Sequence, residues 1–398
     1  MSKERLLPEY STRTYIRTYC IKMKFTPFLL PSRSGNLGKL ELNNPKALNA
    51  LNFDIVSCLS DVLSIWKNDN SLKATMMTGS GDKAFCAGGD IKSLYEDYWN
   101  TSSTKHGYGH GGLLTADFFR TEYEMNHKIA TQTIPQISIW DGIVMGGGVG
   151  VSVHGKYRIA TDTTVFAKPE TGIGLFPDVG GMFWLPRCKG GLGPYIALTG
   201  ARLNANDLLY AGIATHYVPS HDLNDLKDAL INATITEGSS VGRVLMSFHK
   251  DIPTHDSFLA KHRTEIDNAF DNKTSIEQII EQLSQKKDSE FSKKTLSTLD
   301  RMSPTSLKVT LEGLKRGKSL PTIKEVLEME YRMAQAFMRD GSDFYEGVRA
   351  LLVDKDKNPQ WNPKTLAEVS NETVETYFQH LGDNELILPS TNEVESKL

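Results

Sequence analysis

The sequence predicts an α/β core followed by a mainly helical C-terminal region. Three observations lead there. In roughly the first half of the chain, short apolar runs of strand length end at Gly, Pro or Asn turns, as at Asn43-Asn44-Pro45 and Gly79-Ser80-Gly81. Segments of helical spacing alternate with them, the grammar of strands and helices packed in layers. After about Pro219 the composition turns polar and charged and helical spacing takes over. A chain of 398 residues has room for two or three structural units at about 150 residues each. The expected division is a basic N-terminal extension over 1–34, an α/β core over 35–220, a mainly helical region over 221–365 and a polar tail over 366–398.

The elements follow in order. Leu40 and Leu42 flank Glu41 in a strand-like alternation. Ile55, Leu59, Val62, Leu63 and Trp66 recur at the spacing of an amphipathic helix. Ala74 to Thr78 reads as a buried strand and Gln136 to Trp140 as another, after which the glycine run Gly146 to Gly148 opens a helix. Arg158-Ile159-Ala160 and Val165-Phe166-Ala167 are strands again. Further on, Ile276 to Leu283 has helical spacing. Ser303-Pro304 reads as an N-cap with Pro at the first helical position of a helix through about Arg316. Pro321 opens a last helix whose apolar face is Ile323, Leu327, Tyr331, Ala334 and Met338.

Composition excludes several classes. Lys plus Arg is 45 against 48 for Asp plus Glu, a net charge of -3, which leaves no broad electrostatic footprint for nucleic acid. No apolar run approaches the eighteen or so residues of a membrane span. Cys20, Cys58, Cys86 and Cys188 are scattered without a Cys-x-x-Cys pair, which argues against a disulfide scaffold and a zinc site. His106 and His110 are four apart, but Gly107 and Gly109 break the helix that would align them, so no metal is expected. The two ends carry competing addresses. From Tyr10 to Leu40 there are basic residues and no acid, the composition of a disordered lead or of a mitochondrial transit peptide. Ser396-Lys397-Leu398 is the tripeptide read by a peroxisomal import receptor. The expected location is the peroxisome, with the mitochondrion as the alternative.

Gly146 and Gly148 would need glycine at position 151 to complete a dinucleotide fingerprint, and Val151 stands there. Gly317-Lys318-Ser319 resembles the end of a phosphate loop, but Glu312 occupies the first glycine position. Gly238-Ser239-Ser240-Val241-Gly242 matches a nucleophile elbow, which needs a strand before Ser240 and a helix after it; the alternative is an ordinary loop. The Gly88-Gly89 loop and the Gly146–Gly148 run can each aim a backbone N–H at one point, as oxyanion stabilisation requires, or can be two tight turns. Glu170 and Asp178 stand among Pro, Gly and apolar neighbours. Partly buried acids there suit nucleophilic or acid/base work, and the alternative is capping.

Taken together, these segments resemble the crotonase superfamily of acyl-CoA enzymes. The match runs in order through Asn44-Pro45-Lys46-Ala47-Leu48-Asn49-Ala50-Leu51, Phe85 to Lys92 and the Gly146 loop. Within the superfamily, Gly147-Gly148-Val149-Gly150, Pro169-Glu170-Thr171, Phe176-Pro177-Asp178-Val179-Gly180-Gly181 and Glu346-Gly347-Val348-Arg349 resemble the 3-hydroxyisobutyryl-CoA hydrolases. The resemblance implies a spiral of ββα turns, thioester hydrolysis in valine catabolism and a tendency to self-associate. It places an oxyanion hole at Gly89 and Gly147, substrate contacts at Glu122, Gly147, Glu170 and Asp178, and catalysis on Glu170 and Asp178. Coenzyme A contacts fall at Lys46, Ala47, Asp90 and Ile91. Acyl-CoA is the substrate and no separate cofactor is implied. Hydratases of the superfamily use a second carboxylate where this chain has Gly150, so their acid pair is broken here. Glu170 is then expected to attack the thioester and form an anhydride, or to activate water directly. Hydration or isomerisation of enoyl-CoA is the competing activity, and a binding protein without catalysis is the third.

Overall fold

The computed structural model describes residues 26–101, 113–235, 238–286 and 288–390. Its strands are β1 (Leu29–Ser34), β2 (Leu37–Leu42), β3 (Ala74–Gly79), β4 (Ala84–Cys86), β5 (Gln136–Trp140), β6 (Ile143–Met145), β7 (Tyr157–Ala160), β8 (Val165–Ala167) and β9 (His216–Tyr217). They form a six-stranded sheet in the order β1-β2-β3-β5-β7-β9 and a three-stranded sheet in the order β4-β6-β8. Among the described strands, only β1 and β2 pair antiparallel; every other pair is parallel.

The chain alternates between the sheets. β3, β5 and β7 enter the large sheet, and the strand after each enters the small one. A helix or helical turn follows each such pair, which makes a spiral of ββα turns, as expected. The helices that matter for the site are α1 (Phe53–Trp66), α2 (Ile91–Thr101), α3 (Leu113–Thr131), α4 (Gly147–Gly150), α5 (Gly181–Trp184), α6 (Pro304–Ser319) and α7 (Ile323–Phe337).

Burial explains the sheet. All five residues of β5 are buried, the pattern of a parallel strand covered on both faces. Side chains alternate between two cores. Met77, Trp140 and Ala160 belong to the main core, whereas Met76, Ile139 and Ile159 pack with Leu223, Leu226, Leu230, Val241 and Leu245 behind the sheet. The helices after Pro219 therefore begin by covering the outer face of the large sheet. α1 starts where Asn52 Oδ1 accepts the Ile55 N–H at 2.9 Å, and it buries Ile55, Leu59, Val62, Leu63 and Trp66 as its spacing predicts. Ser303 caps α6, with Pro304 at its first position. Thr322 and Glu325 form a capping box, so α7 begins two residues beyond Pro321.

Three expectations need correction. The N-terminal extension, expected to reach residue 34, ends before Leu29, because β1 is a paired edge strand whose Pro31 an edge can tolerate. The tail expected to be polar over 366–398 also has buried apolar residues in its described part: Leu386 and Leu388 are buried, and Glu385 Oε1 lies 2.6 Å from Arg332 Nε of α7. Ser240 lies inside the helix Gly238–Phe248, and among the described residues the element before it is the helix Leu223–Asn232 and not the strand a nucleophile elbow needs. His106, His110, Cys20 and Ser396-Lys397-Leu398 lie outside the described residues.

Candidate active site

Because β4, β6 and β8 are parallel neighbours, the loops leaving their C-terminal ends converge, the usual position of a ligand site in α/β folds. The first loop holds Gly88 and Gly89. Gly88 has φ +117, a conformation open to glycine, and its carbonyl accepts the Leu51 N–H at 2.8 Å. Asp90 N–H returns to Leu51 O at 2.8 Å, which leaves the Gly89 N–H without an acceptor among the described residues. The second loop turns at Gly146 (φ +51) into α4, whose first N–H, on Gly147, is likewise undonated among the described residues. A Cβ built on Gly147 would sit 2.6 Å from Glu122 Oε1 and 3.3 Å from Gly89 N, so the two free donors stand side by side.

Both donors line a cavity of about 410 Å³ that also exposes Glu122, Glu170 and Asp178, with Leu94, Phe118, Ile173 and Leu175 among its apolar walls. Glu122 comes from α3, Glu170 from the turn after β8, and Asp178 from the loop before α5. Between the last two lies Lys168, whose side chain is 0% exposed. Its Nζ is 2.6 Å from Glu170 Oε1 and 3.4 Å from Asp178 Oδ1, and it donates to Asp178 O at 3.1 Å. The Glu170 contact is an ion pair without hydrogen-bond alignment, and Glu170 Oε2 has no partner among the described residues. Tyr123 donates its hydroxyl to Asp178 Oδ2 at 3.0 Å. Behind the Asp178 loop, Glu330 of α7 accepts the N–H groups of Gly180 at 2.7 Å and Met182 at 2.8 Å. His154 Nε2 lies 2.8 Å from Val179 O.

These environments set the protonation states. Burial pushes the Glu170 carboxyl up to about 7; the Lys168 ammonium opposes that rise and the Asp178 charge adds to it. Glu122 is held well above the usual carboxylate range by burial and by the charge of Asp178, despite Lys168. Burial works against the charge on Lys168, but Glu170 and Asp178 outweigh it and keep the ammonium above its ordinary value. Burial also raises Glu330 to about 8, its two backbone donors notwithstanding. Desolvation lowers His154 to about 4, so near pH 7 it is neutral and Nε2 carries the proton given to Val179 O.

The cavity gathers Gly89, Gly147, Glu122, Glu170, Asp178, Ala47, Asp90 and Ile91; Lys46 is not in its wall. Sequence reasoning passed over Lys168, Tyr123, Glu330 and the cavity-lining Leu351 and Leu352. Two of these had signals. Lys168 is a lysine directly after an apolar strand, and Glu330 falls on the apolar face of α7, three residues after Leu327. Among the described residues no group of His, Cys, Asp and Glu is arranged to hold a metal ion, and no helix is long and apolar enough to cross a membrane. Position 150 is closed as well as empty. A Cβ on Gly150 would lie 2.5 Å from Val179 Cβ and 3.0 Å from Asn126 Nδ2.

The chain is similar to known proteins over most of its length. The family model described as Enoyl-CoA hydratase/isomerase matches residues 37–378. A curated relative from Xenopus tropicalis, named "3-hydroxyisobutyryl-CoA hydrolase, mitochondrial", is 46% identical over 362 residues, 90% of each chain. Relatives of the same name from Mus musculus and Dictyostelium discoideum are 45% and 41% identical, over 90% of this chain and 90% and 93% of theirs. Among solved structures, a carnitinyl-CoA dehydratase from Mycobacterium thermoresistibile superposes with TM-score 0.82 at 37% identity, covering 92% of this chain and all of that one. An enoyl-CoA hydratase from Rhodobacter sphaeroides gives TM-score 0.79 at 33% identity, covering 91% of this chain and all of its own. By the extent of the model match and of these relatives, the chain belongs to the enoyl-CoA hydratase/isomerase family.

Proposed function

We propose that this protein hydrolyses 3-hydroxyisobutyryl-CoA to 3-hydroxyisobutyrate and CoA. The observation that carries this choice within the family is the closed position at Gly150, packed against Val179, which leaves no carboxylate there to pair with Glu170. The names of the curated relatives support the same substrate.

In the mechanism we favour, the thioester oxygen takes the place between the Gly89 and Gly147 N–H groups. The Glu170 carboxylate attacks the carbonyl carbon, and the C=O electron pair moves to that oxygen, where the two donors stabilise it. Collapse breaks the C–S bond, CoA leaves as a thiolate that takes up a proton, and an acyl–Glu170 anhydride remains. Water then cleaves the anhydride, releasing the acid and restoring the carboxylate. Asp178, braced by Tyr123 and Lys168, orients groups at the acyl end. Mass analysis of enzyme quenched during turnover tests the covalent route: a peptide carrying one acyl group on Glu170 is expected, and direct activation of water leaves none.

The dehydratase and hydratase titles of the similar solved structures, together with Glu122 as another cavity carboxyl, favour hydration as the second reading. Thiol release from 3-hydroxyisobutyryl-CoA, run beside loss of enoyl absorbance from crotonyl-CoA, separates the two. Hydrolysis predicts release in the first and no loss in the second. The relatives are named mitochondrial, which supports a mitochondrial location; the comparisons lend no support to the peroxisomal expectation.

A further inference from the structure

Lys168 does not line the cavity, yet both acids on which the mechanism depends sit on its ammonium. A wholly buried lysine with no counter-charge gives up its proton, and a buried carboxylate with no cation takes one up. Here each supplies part of what the other lacks, at 2.6 Å for Glu170 and 3.4 Å for Asp178, which keeps the lysine charged and limits the rise at Glu170. The surrounding groups cannot replace it. Glu122 and Tyr123 face the pair from α3, and Glu330 approaches from α7; all three are acids. His154, beyond α4, donates to Val179 O. Lys168 is the one cation among them.

We propose that Lys168 is a positioning residue for the hydrolysis, its buried ammonium holding Glu170 as an anion towards the cavity and fixing Asp178 beside it. This rests on the reading of Glu170 as the attacking group. An opposite charge within hydrogen-bond range lowers a carboxyl pKa by ~1–3 units, so removing it raises the pH at which Glu170 ionises.

The test is the pH profile of kcat/KM for thiol release in the intact protein, Lys168→Met and Lys168→Gln. Both substitutions remove the charge, and glutamine keeps an N–H donor for the Asp178 carbonyl. In both variants the acid limb moves up by at least about one pH unit, costing about fivefold or more at pH 7 and recovering towards pH 9. A limb that stays in place, or a glutamine variant with the wild-type profile, overturns the proposal. Melting temperatures between about pH 5 and pH 8 give a readout independent of activity. Without the ammonium, Glu170 must stay protonated to remain buried, so the deficit of each variant grows as pH rises. A deficit equal at every pH overturns the charge role. If the intact protein releases no thiol, the functional reading fails, and the melting series alone decides the role of Lys168.

Discussion

A methyl group at position 147 would meet Glu122 Oε1 at 2.6 Å and Gly89 N at 3.3 Å, so the Glu122 carboxyl must move directly beside the N–H that faces the cavity. Gly147→Ala is therefore expected to lower kcat by ~100-fold or more through a displaced oxyanion donor, with a smaller change in KM. Unchanged kcat in steady-state thiol release would remove Gly147 from that role. Glu122 makes the opposite kind of prediction. Its folded-state pKa is raised, so the stability it confers is fully present below its ordinary value near 4.5 and is lost as pH rises towards the folded value. Glutamine is neutral throughout. The melting temperature of Glu122→Gln should gain on the wild type between about pH 5 and pH 8, and parallel curves would contradict the buried, uncompensated carboxyl. At Glu170 the sign governs activity. The carboxylate dominates above about 7, so kcat/KM should climb with pH and level off beyond that point.

At the scale of elements, the site depends on three parallel strand ends and on α7 behind them. Glu330 links α7 to the Asp178 loop through the N–H groups of Gly180 and Met182. Glu330→Ala orphans both donors and opens a cavity, which predicts a loss of ~2–5 kcal/mol in denaturant unfolding together with reduced kcat. A stable variant with normal turnover would show the brace to be dispensable. Much of this level was legible in the sequence. α1, α6, β5 and β8 carry periodic or continuous apolar patterns with caps and turns at their ends, and such patterns depend on local chemistry alone. β1 was not legible, because Pro31 and Arg33 on an edge strand look like the basic lead before it. Glu122, Glu170 and Asp178 were reached mainly through family resemblance. Lys168 was missed because its importance lies in contacts made only once the Asp178 loop folds back over the end of β8.

The whole molecule adds contacts that no local pattern announces. Phe378, Leu386 and Leu388 are buried without a helical or strand period, against a surface that includes α7. Ending the chain after Gln379 removes two of them together with the Arg332–Glu385 ion pair. At ~1.5–3 kcal/mol per buried leucine this predicts a loss of ~3–6 kcal/mol, read as a lowered melting temperature. An unchanged value would mean that the packed tail adds nothing. The most direct test of the whole account is thiol release from 3-hydroxyisobutyryl-CoA by the intact protein, Glu170→Gln and Asp178→Asn, each checked for its fold by circular dichroism. Rapid release is expected, falling by ~1,000-fold or more with Glu170→Gln and by ~10-fold or more with Asp178→Asn, both folded. Release that survives in folded Glu170→Gln would contradict the mechanism.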